Sequence, residues 1–402
     1  MSWVLAISIA LLGYVYAGYP ALIWALSRLR PRPVRKGSFA GGVAVLIAAR
    51  NEAEALPRKL ENLLDLARAE PIREIWIGLD GCTDGTAAAV RETLDRRPET
   101  RDQRREIGDP SLQSVVYSLQ SGLSVHLLEF DVPRGKAAVL NDLMARAGQP
   151  IFALMDARQR VAPGAISLLL ENFADEQTGV VSGALVYESA EGAAQKGADS
   201  YWGYEKFLRE CESRFWAVPG ATGALYAIRR ELCGPIPETT LVDDVLIPMR
   251  AVLRGFRCLF EPAARVFDLP AARFDQEGAR KRRTLAGIWQ LARLEPALFS
   301  IFANPIWFQW VSHKFLRLLT PFFVVSTLFS LLFLAWNGVF AVKVLFFAVF
   351  SVFLISFLAF FGGKRFSSRG LGLLGAFFGV NLALARAAWD AATGRFEARW
   401  KR

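Results

Sequence analysis

Acidic side chains follow several apolar runs of this sequence, at the points where buried strands would end. Asp156 follows the apolar run 151–155, and Asp80 follows the run 74–79. We expect a further set of polar residues at the same sheet edge: Asn51, Glu52, Asp84, Asp243 and Asp244. In α/β sheets, ligands bind beyond the carboxyl ends of the strands. Each aspartate alone could cap the helix that follows it, but the ordered set favours a site for a divalent metal ion and a phosphorylated ligand.

The amino-acid composition argues against a purely soluble protein. Of the 402 residues, 53% are hydrophobic, the mean hydropathy is +0.26, and the apolar excess lies at the two ends of the chain. The net charge is +10, but the Arg and Lys residues cluster beside the apolar segments. A basic cytoplasmic face against anionic lipid therefore explains the charge better than nucleic acid does. The sequence has no motif that reads RNA or DNA, so we expect no nucleic-acid partner.

Three parts of the chain predict membrane segments. Residues 1–27 have the length and apolarity of an N-terminal transmembrane helix, and the basic stretch 27–36 indicates that this helix ends in the cytoplasm. A cleaved signal peptide is disfavoured because its charges would precede the apolar core. Residues 297–316 predict an aromatic interfacial helix, and residues 317–402 predict a C-terminal membrane region with two or three helices. The third of these contains Arg386 and could instead be a re-entrant segment or an amphipathic helix on the membrane surface.

Residues 37–296 predict a single cytoplasmic α/β domain, in a multi-pass protein of the plasma (inner) membrane. Apolar strand patterns alternate with helical patterns, which indicates a mainly parallel sheet. The predicted strands are 43–48, 74–79, 125–130, 151–155, 180–187 and 224–228. The charged stretch 91–120 has no clear period and predicts an excursion on the surface.

Two motifs of this domain resemble a known family. The sequence AARNE at 48–52 is similar to P-A-x-N-E, and DGCTDGT at 80–86 is similar to D-D-G-S-x-D-G-T. These motifs belong to the nucleotide-sugar half of glycosyltransferase family 2, in the membrane-bound branch of the cellulose-like and poly-N-acetylglucosamine synthases. Further matches follow in the family's order and cover most of residues 43–287. The resemblance implies a GT-A fold, which is a Rossmann-like sheet domain.

The resemblance also implies roles for individual residues. Asp156 stands at the start of the metal-binding D-x-D and is the expected ligand of Mg²⁺ or Mn²⁺. Asp244, with Asp243 before it, matches the family's acid pair and is the expected general base that takes a proton from the acceptor. Substrate binding is expected from a larger set: Ala49, Asn51, Glu52, Asp80, Asp84, Lys136, Asn141, Arg158, Gly223 and Arg283.

Two departures from the family pattern affect the expected chemistry. The D-x-D reads Asp156-Ala157-Arg158, so a cation replaces the second carboxylate, and Arg158 could contact phosphate instead. The Q-x-x-R-W of the polymerising members reads RKRRT at 280–284, where Arg283 matches but Gln and Trp are absent. The second departure weakens the case for a processive polymerase and favours one or a few transfers.

The favoured hypothesis is an inverting, metal-dependent glycosyltransferase. It would pass a sugar from a UDP-sugar to a saccharide or lipid acceptor at the membrane, in exopolysaccharide or glycolipid synthesis. A polyprenyl-phosphate glycosyltransferase is the alternative among enzymes, and its ionised acceptor needs no general base. A different class is a degenerate nucleotide-sugar-binding subunit of a polysaccharide export complex, which the altered D-x-D supports.

Overall fold

The computed structural model of the protein describes residues 1–97, 104–109, 112–119, 122–187, 193–268, 274–338, 340–362 and 369–394. Its strands are β1 (Val43–Ala49), β2 (Ile72–Asp80), β3 (Arg104–Asp109), β4 (Leu112–Ser118), β5 (Ser124–Phe130), β6 (Ile151–Leu154), β7 (Arg160–Val161), β8 (Thr178–Tyr187), β9 (Tyr226–Arg229) and β10 (Arg257–Asp268). They form one sheet in the order β3-β4-β5-β2-β1-β6-β9-β8-β10-β7.

The sheet is parallel at its centre and mixed as a whole. Strands β5, β2, β1 and β6 run parallel to one another, and β8 is parallel to β10. Strand β9 lies antiparallel between β6 and β8, and β4 is antiparallel to β5. The α/β class is therefore confirmed. The expectation of a mainly parallel sheet holds for its centre only. Antiparallel neighbours can be joined by short connections, without the crossover helix that a parallel pair needs.

Helices cover both faces of the sheet and form the two ends of the chain. An N-terminal helix consists of α1 (Ser2–Gly13), a π-helical turn (Tyr14–Gly18) and α2 (Tyr19–Leu29). The sheet domain contains α3 (Ala55–Leu66), α4 (Thr86–Asp95), α5 (Lys136–Arg146), α6 (Ala165–Glu171), α7 (Ala193–Phe215), α8 (Asp243–Leu253) and α9 (Phe274–Leu294). The C-terminal part contains α10 (Trp307–Gln309), a π-helix (Trp310–Phe315), α11 (Leu316–Leu318), α12 (Thr320–Trp336), α13 (Phe340–Gly362) and α14 (Arg369–Thr393).

Strand β1 buries side chains on both of its faces. Val43, Val45 and Ile47 belong to a core with α3, α4 and α6. Ala44 and Leu46 belong to a second core with α5, α8 and α9. A parallel strand that is covered by helices on both faces reads as one unbroken apolar run, which is why the sequence pattern located β1 and β6.

Two parts of the sheet differ from the sequence prediction. The prediction of a surface excursion at 91–120 is wrong for β3 and β4, which form an antiparallel hairpin that extends the sheet beside β5. Val115 and Tyr117 of β4 are 3% and 1% exposed. Strand β10 was not predicted, because its pairing with β8 is interrupted between Phe260 and Arg265 and the alternation of apolar residues breaks there.

The ends of the chain contain helices that could cross a membrane by length and composition. They are Ser2–Leu29, Phe340–Gly362 and Gly370–Thr393, together with one pair, Trp307–Leu318 and Thr320–Trp336, that is bent by 57°. The predicted domain boundaries, 1–27, 37–296, 297–316 and 317–402, stay predictions.

The aromatic segment 297–316 is not one continuous helix. It begins with a 3₁₀ turn (Pro296–Phe299) and continues through α10 and the π-helix. Trp310 is fully buried, and the rings of Phe299 and Phe315 pack edge to face at 4.9 Å. Phe302, in contrast, is fully exposed. Most of these aromatic side chains therefore pack against the protein core, and Phe302 is exposed.

A buried polar cluster joins the terminal helices to the sheet domain. His313 lies 2.8 Å from Glu212 and 3.2 Å from Glu205, both on α7. Tyr19 donates a hydrogen bond to Glu212, and Arg317 lies 3.0 Å from Glu205. Charges buried at such a junction are stable only with partners, so the cluster fixes how the terminal helices meet α7.

Glu212→Ala should destabilise the protein strongly. The substitution leaves Tyr19 and His313 without their common partner, and breaking a buried pair costs about 3–5 kcal/mol. Thermal unfolding in detergent or lipid measures the change. Glu210→Ala is the matched control, because the Glu210 side chain is 40% exposed on the same helix. An unchanged Tm for Glu212→Ala would contradict a structural role of the cluster.

Candidate active site

The polar residues expected at the sheet edge meet beyond the carboxyl ends of β1, β2 and β6. Asn51 and Glu52 follow β1, Asp80 is the last residue of β2, and Asp156 follows β6. These strand ends are neighbours because β1 lies between β2 and β6 and runs parallel to both. Ala49, the last residue of β1, has a fully buried side chain, so its backbone is the part that a ligand could reach.

Lys136, the first residue of α5, joins two of the acids. Its Nζ lies 2.9 Å from Asp156 Oδ1 and 3.2 Å from Asp243 Oδ2. Burial alone would lower the pKa of Lys136, but the neighbouring carboxylates outweigh burial and raise the pKa. The ammonium therefore stays charged, at a position where a diphosphate would need a cation.

Gly223 separates the carboxylates of Asp156 and Asp244. Its N–H donates a hydrogen bond of 3.0 Å to Asp244 Oδ2, and its carbonyl accepts one of 3.0 Å from the Asp156 N–H. A Cβ on Gly223 would lie 3.3 Å from Asp244 Oδ2 and 3.4 Å from Asp156 Oδ2. Both carboxylates therefore border one small space, which a side chain at position 223 would fill.

The environment of Asp244 suits a proton acceptor. Burial, together with the adjacent Asp243 carboxylate, raises the pKa of Asp244 to about 6, although Lys136 and the Gly223 N–H oppose the shift. A carboxylate whose pKa lies nearer to neutral pH takes up a proton more readily than an ordinary aspartate does. Asp244 can therefore act as a general base.

Side-chain hydrogen bonds tie the loop after β1 to the loop after β2. Asn51, at a φ of 54°, accepts a hydrogen bond of 2.9 Å from the Thr83 N–H. Asp84 accepts hydrogen bonds from the N–H groups of Ala53 at 3.2 Å and Thr86 at 3.1 Å. Burial alone would raise the pKa of Asp84, but the hydrogen bond from the Thr86 hydroxyl, together with these two backbone hydrogen bonds, lowers it. Asp84 thus lies one residue before the N-cap of α4, Gly85, and binds the first N–H of that helix.

Asp80 is fully buried and shapes the loop before α5. Its Oδ1 accepts a hydrogen bond of 2.6 Å from the Arg134 N–H, and its Oδ2 accepts one of 2.9 Å from the Gly135 N–H. Gly135 has a φ of 99°, a conformation that favours glycine. Asp80 therefore positions the backbone of Gly135 and, with it, Lys136, which follows in the chain. A contact of Asp80 with uridine stays a prediction.

Two family models match the chain. Residues 44–235 match the model of Glycosyl transferase family 2, and residues 151–363, more than half of the chain, match that of Glycosyl transferase family group 2. The chain belongs to glycosyltransferase family 2. The match confirms the family expected from the sequence, and the protein is therefore a glycosyltransferase.

Curated relatives of this family 2 glycosyltransferase are distant. It is 24% identical over 227 residues to a beta-monoglucosyldiacylglycerol synthase from Nostoc sp., which covers 55% of this chain and 44% of that protein. It is 22% identical over 254 residues to a poly-beta-1,6-N-acetyl-D-glucosamine synthase from Staphylococcus aureus, which covers 62% of this chain and 52% of that protein. The chain spans about half the length of the curated relatives it matches.

A solved structure shares the fold of the glycosyltransferase. The mannosyltransferase PcManGT from Pyrobaculum calidifontis, in complex with GDP-Man and Mn²⁺, is similar over 98% of this chain and 100% of that chain. The TM-score is 0.71 and the sequence identity is 22%. This likeness confirms the GT-A fold.

Arg158, which replaces the second carboxylate of the family's D-x-D, lies beside Glu52. Its Nε is 3.7 Å from Glu52 Oε1, and the two side chains are 32% and 22% exposed. Burial raises the pKa of Glu52 even though the Arg158 charge opposes this shift. The ion pair is long and partly exposed, so Arg158 could leave Glu52 and bind a phosphate oxygen instead.

The residues of the glycosyltransferase site fit a divalent metal ion that the donor helps to hold. Among the described residues, no group of three or more His, Cys, Asp and Glu side chains could hold a metal ion by itself. Asp156 pairs with Lys136 through Oδ1, and its Oδ2 borders the space at Gly223. Mg²⁺ at nucleotide sites is usually bound by one or two carboxylates, phosphate oxygens and water. Asp156 would supply one such carboxylate.

Two of the predicted substrate-binding residues lie apart from the acids. Asn141 exchanges hydrogen bonds of 2.8 and 2.9 Å with the backbone of Ile236, so it ties α5 to the loop after β9. Arg283 lies one helical turn before Gly287, which packs against Val242 beside the acid pair. The Nε of Arg283 is buried and has no hydrogen-bond partner among the described residues. A bound ligand is one group that could satisfy it.

Several side chains that bind the loop after Asp156 could not be identified from the sequence. Lys59 of α3 is 2% exposed and donates a hydrogen bond of 2.8 Å to the Gln159 carbonyl. Asn62 exchanges hydrogen bonds of 2.8 and 3.1 Å with the Val161 backbone. Gln159 donates one of 2.9 Å to Asp268 at the end of β10. The one sequence feature that could have pointed to these contacts is Lys59, a lysine within the apolar stripe of α3.

Proposed function

We propose that the glycosyltransferase moves a sugar from a UDP-sugar to a saccharide or lipid acceptor at the membrane, with inversion at the anomeric carbon. The observation that carries this proposal is the position of Asp244, whose carboxylate borders the same small space as Asp156. A single displacement needs a base beside the acceptor and positive charge beside the leaving group. Asp244 is the base in this proposal, and the cationic groups around Asp156 supply the positive charge.

In this reaction the acceptor oxygen bonds to the anomeric carbon while the bond from that carbon to the diphosphate oxygen breaks. Asp244 accepts the hydroxyl proton, and the electron pair of the broken bond leaves with the nucleotide diphosphate. Mg²⁺ or Mn²⁺, held by Asp156 and the donor, would neutralise charge on the leaving group. Lys136 and Arg158 provide further positive charge at the same edge of the sheet.

The names of the relatives motivate the two acceptor classes. They are synthases of a monoglucosyldiacylglycerol and of a poly-N-acetylglucosamine, which correspond to glycolipid and exopolysaccharide synthesis. The apolar helices motivate the membrane location. Arg32, just after α2, stacks on Trp216 at 4.2 Å and donates its backbone N–H to the Arg214 carbonyl. The basic end of the first helix thus lies against the sheet domain, which the positive-inside rule places in the cytoplasm.

A panel of donors tests the proposal. The purified chain in lipid nanodiscs would receive UDP-glucose, UDP-N-acetylglucosamine or GDP-mannose, with Mn²⁺ or Mg²⁺ and a membrane lipid extract as acceptor. We expect nucleotide release from one UDP-sugar, and a loss of about 100-fold or more in Asp156→Ala, because electrostatic groups at a leaving group contribute that much. Asp95→Ala, on the exposed side of α4, is the matched control.

The same panel separates the alternatives. Release from GDP-mannose alone would overturn the UDP-sugar proposal and favour transfer to a polyprenyl phosphate. Tight UDP binding without release, even with lipid acceptor present, would favour a non-catalytic subunit of a polysaccharide export complex.

Sugar transfer should decline as the pH falls through about 6. Asp244 must be ionised to accept a proton, and its pKa is raised to about 6. Below that value the ionised fraction in the free enzyme falls about tenfold for each pH unit, and kcat/KM should follow, because kcat/KM reports ionisation in the free enzyme. The measurement is the initial rate of transfer at donor concentrations well below KM across this range. Residual transfer by Asp244→Asn should lack the decline, and an identical decline in that variant would assign it to another group.

A further inference from the structure

Helix α14 has the length and composition of a membrane span, but its C-terminal end lies against the sheet domain. Asp390, 5% exposed, accepts hydrogen bonds from Nε and one terminal nitrogen of Arg282. Arg282 belongs to α9, which is anchored to the sheet domain because Gln290 accepts a hydrogen bond of 3.0 Å from the Leu241 N–H. The end of α14 is therefore on the side of the active site.

Apolar residues on the same face of α14 support this docking. Leu384 and Ala387 are 2% and 0% exposed, and they lie at helical spacing with Asp390. Leu384 shares a core cluster with Trp310 and Leu318. The second half of α14 thus packs on the protein and holds its acid in a paired, buried position. An aspartate in the middle of a bilayer would be costly.

The beginning of α14 lies on the same side of the membrane region. Helices α12 and α13 follow each other after a short turn and pack together, so the chain returns towards the sheet domain along α13. A Cβ on Gly375 would lie 3.2 Å from the Ala359 backbone, and one on Gly379 would lie 2.6 Å from the Phe360 ring. These glycines bring the first half of α14 against the last turns of α13. Both ends of α14 therefore lie at the end of the bundle that carries the sheet domain.

The outward face of α14 is suited to lipid. In the second half of the helix, Trp389 is 61% exposed, and Ala385, one helical turn earlier, is also exposed; both point away from the docked residues Leu384 and Ala387. Arg386 is exposed beside Trp389, where its long side chain can reach the lipid headgroups. Helix α13 also carries many exposed apolar side chains, which argues for the same partner, membrane lipid.

We infer that α14 does not cross the membrane and instead lies on the membrane surface beside the sheet domain, with Trp389 in the lipid. The inference rests on the proposed membrane location of α12 and α13. The pair of Arg282 and Asp390 joins this surface helix to α9, one residue from Arg283.

Cysteine labelling in the full-length chain tests the inference. One cysteine is introduced on the sheet domain (Glu92→Cys), one in the turn between α12 and α13 (Asn337→Cys), or one at the end of α14 (Ala392→Cys). All three positions are exposed. Cells are treated with a membrane-impermeant maleimide before or after permeabilisation. The unsubstituted chain gives the background, because its own cysteines are buried or half-buried.

We expect Ala392→Cys to label under the same condition as Glu92→Cys, and Asn337→Cys to label under the opposite condition. Labelling of Ala392→Cys together with Asn337→Cys would overturn the inference, because α14 would then cross. If all three positions label together, the proposed membrane crossing by α12 and α13 fails, and the inference fails with it. The outcomes are distinct and do not depend on sugar transfer.

A fluorophore tests the lipid contact separately. Ala385→Cys carries an environment-sensitive dye in purified protein in nanodiscs, and Glu92→Cys carries the same dye as the control. We expect emission from position 385 to be shifted to shorter wavelength relative to position 92. Equal emission at the two positions would overturn the lipid-facing placement of α14.

Discussion

Asp244→Asn should abolish most sugar transfer and leave donor binding in place. The amide keeps the shape of the carboxylate and can still accept the hydrogen bond from the Gly223 N–H, but it cannot take a proton from the acceptor. A general base contributes about 10²–10⁴-fold to a reaction rate, so kcat should fall by about that factor. Product formation with the donor that the panel identifies gives kcat, and calorimetric titration of the nucleotide sugar gives the Kd.

The control for Asp244→Asn is Asp95→Asn, which makes the same chemical change on the exposed side of α4. It should match the unsubstituted enzyme in both measurements. Undiminished transfer by Asp244→Asn would contradict the role of general base. It would favour an acceptor that is already ionised, such as a polyprenyl phosphate. A parallel loss of donor binding would assign Asp244 to the donor site instead.

Gly223→Ala should reduce kcat with little effect on stability. The new Cβ would lie 3.3 Å from Asp244 Oδ2 and 3.4 Å from Asp156 Oδ2, so the two carboxylates must move by a few tenths of an ångström. The φ of Gly223 lies outside the left-handed region, so alanine causes no backbone strain there. Small displacements of reacting groups can cost about 10²-fold in rate. We expect a loss of about that size in kcat and a nearly unchanged Tm.

Gly203→Ala is the matched control for this substitution. Gly203 lies on α7, and a Cβ there would meet no atom within 4 Å. Its kcat should equal that of the unsubstituted enzyme. If Gly223→Ala retained full activity, the space between Asp156 and Asp244 would not be where the reacting atoms lie. If its Tm fell steeply, the loss of activity would be structural.

The strand ends that carry the polar site residues could be predicted, because buried parallel strands appear in the sequence as unbroken apolar runs. The run 151–155 ends at Asp156, and the structure places that carboxylate at the sheet edge. The pairing of side chains could not be predicted in the same way. Lys136 contacts both Asp156 and Asp243, and these distant positions meet only in the fold, in which α5 packs against β1 and β2.

Irregular strands and side chains that support the site were harder to predict. The pairing of β10 with β8 is interrupted within residues 260–265, and Pro262 cannot donate a hydrogen bond to the sheet. Because the strand was not predicted, neither was the contact of its last residue, Asp268, with Gln159. Lys59 lies at helical spacing with the apolar residues of α3. Sequence spacing alone does not reveal which carbonyl a buried lysine reaches.

The polar cluster at α7 and the first helix also sets a condition on biosynthesis. Tyr14 and Ser312 hydrogen-bond to each other but are 298 residues apart in the chain. At about 5–20 residues per second, a ribosome needs about 15–60 s to translate that interval. During this time the first helix awaits the residues that later pack against it. The sheet domain, which is translated in between, must therefore begin to fold while tethered to a helix whose contacts are still incomplete.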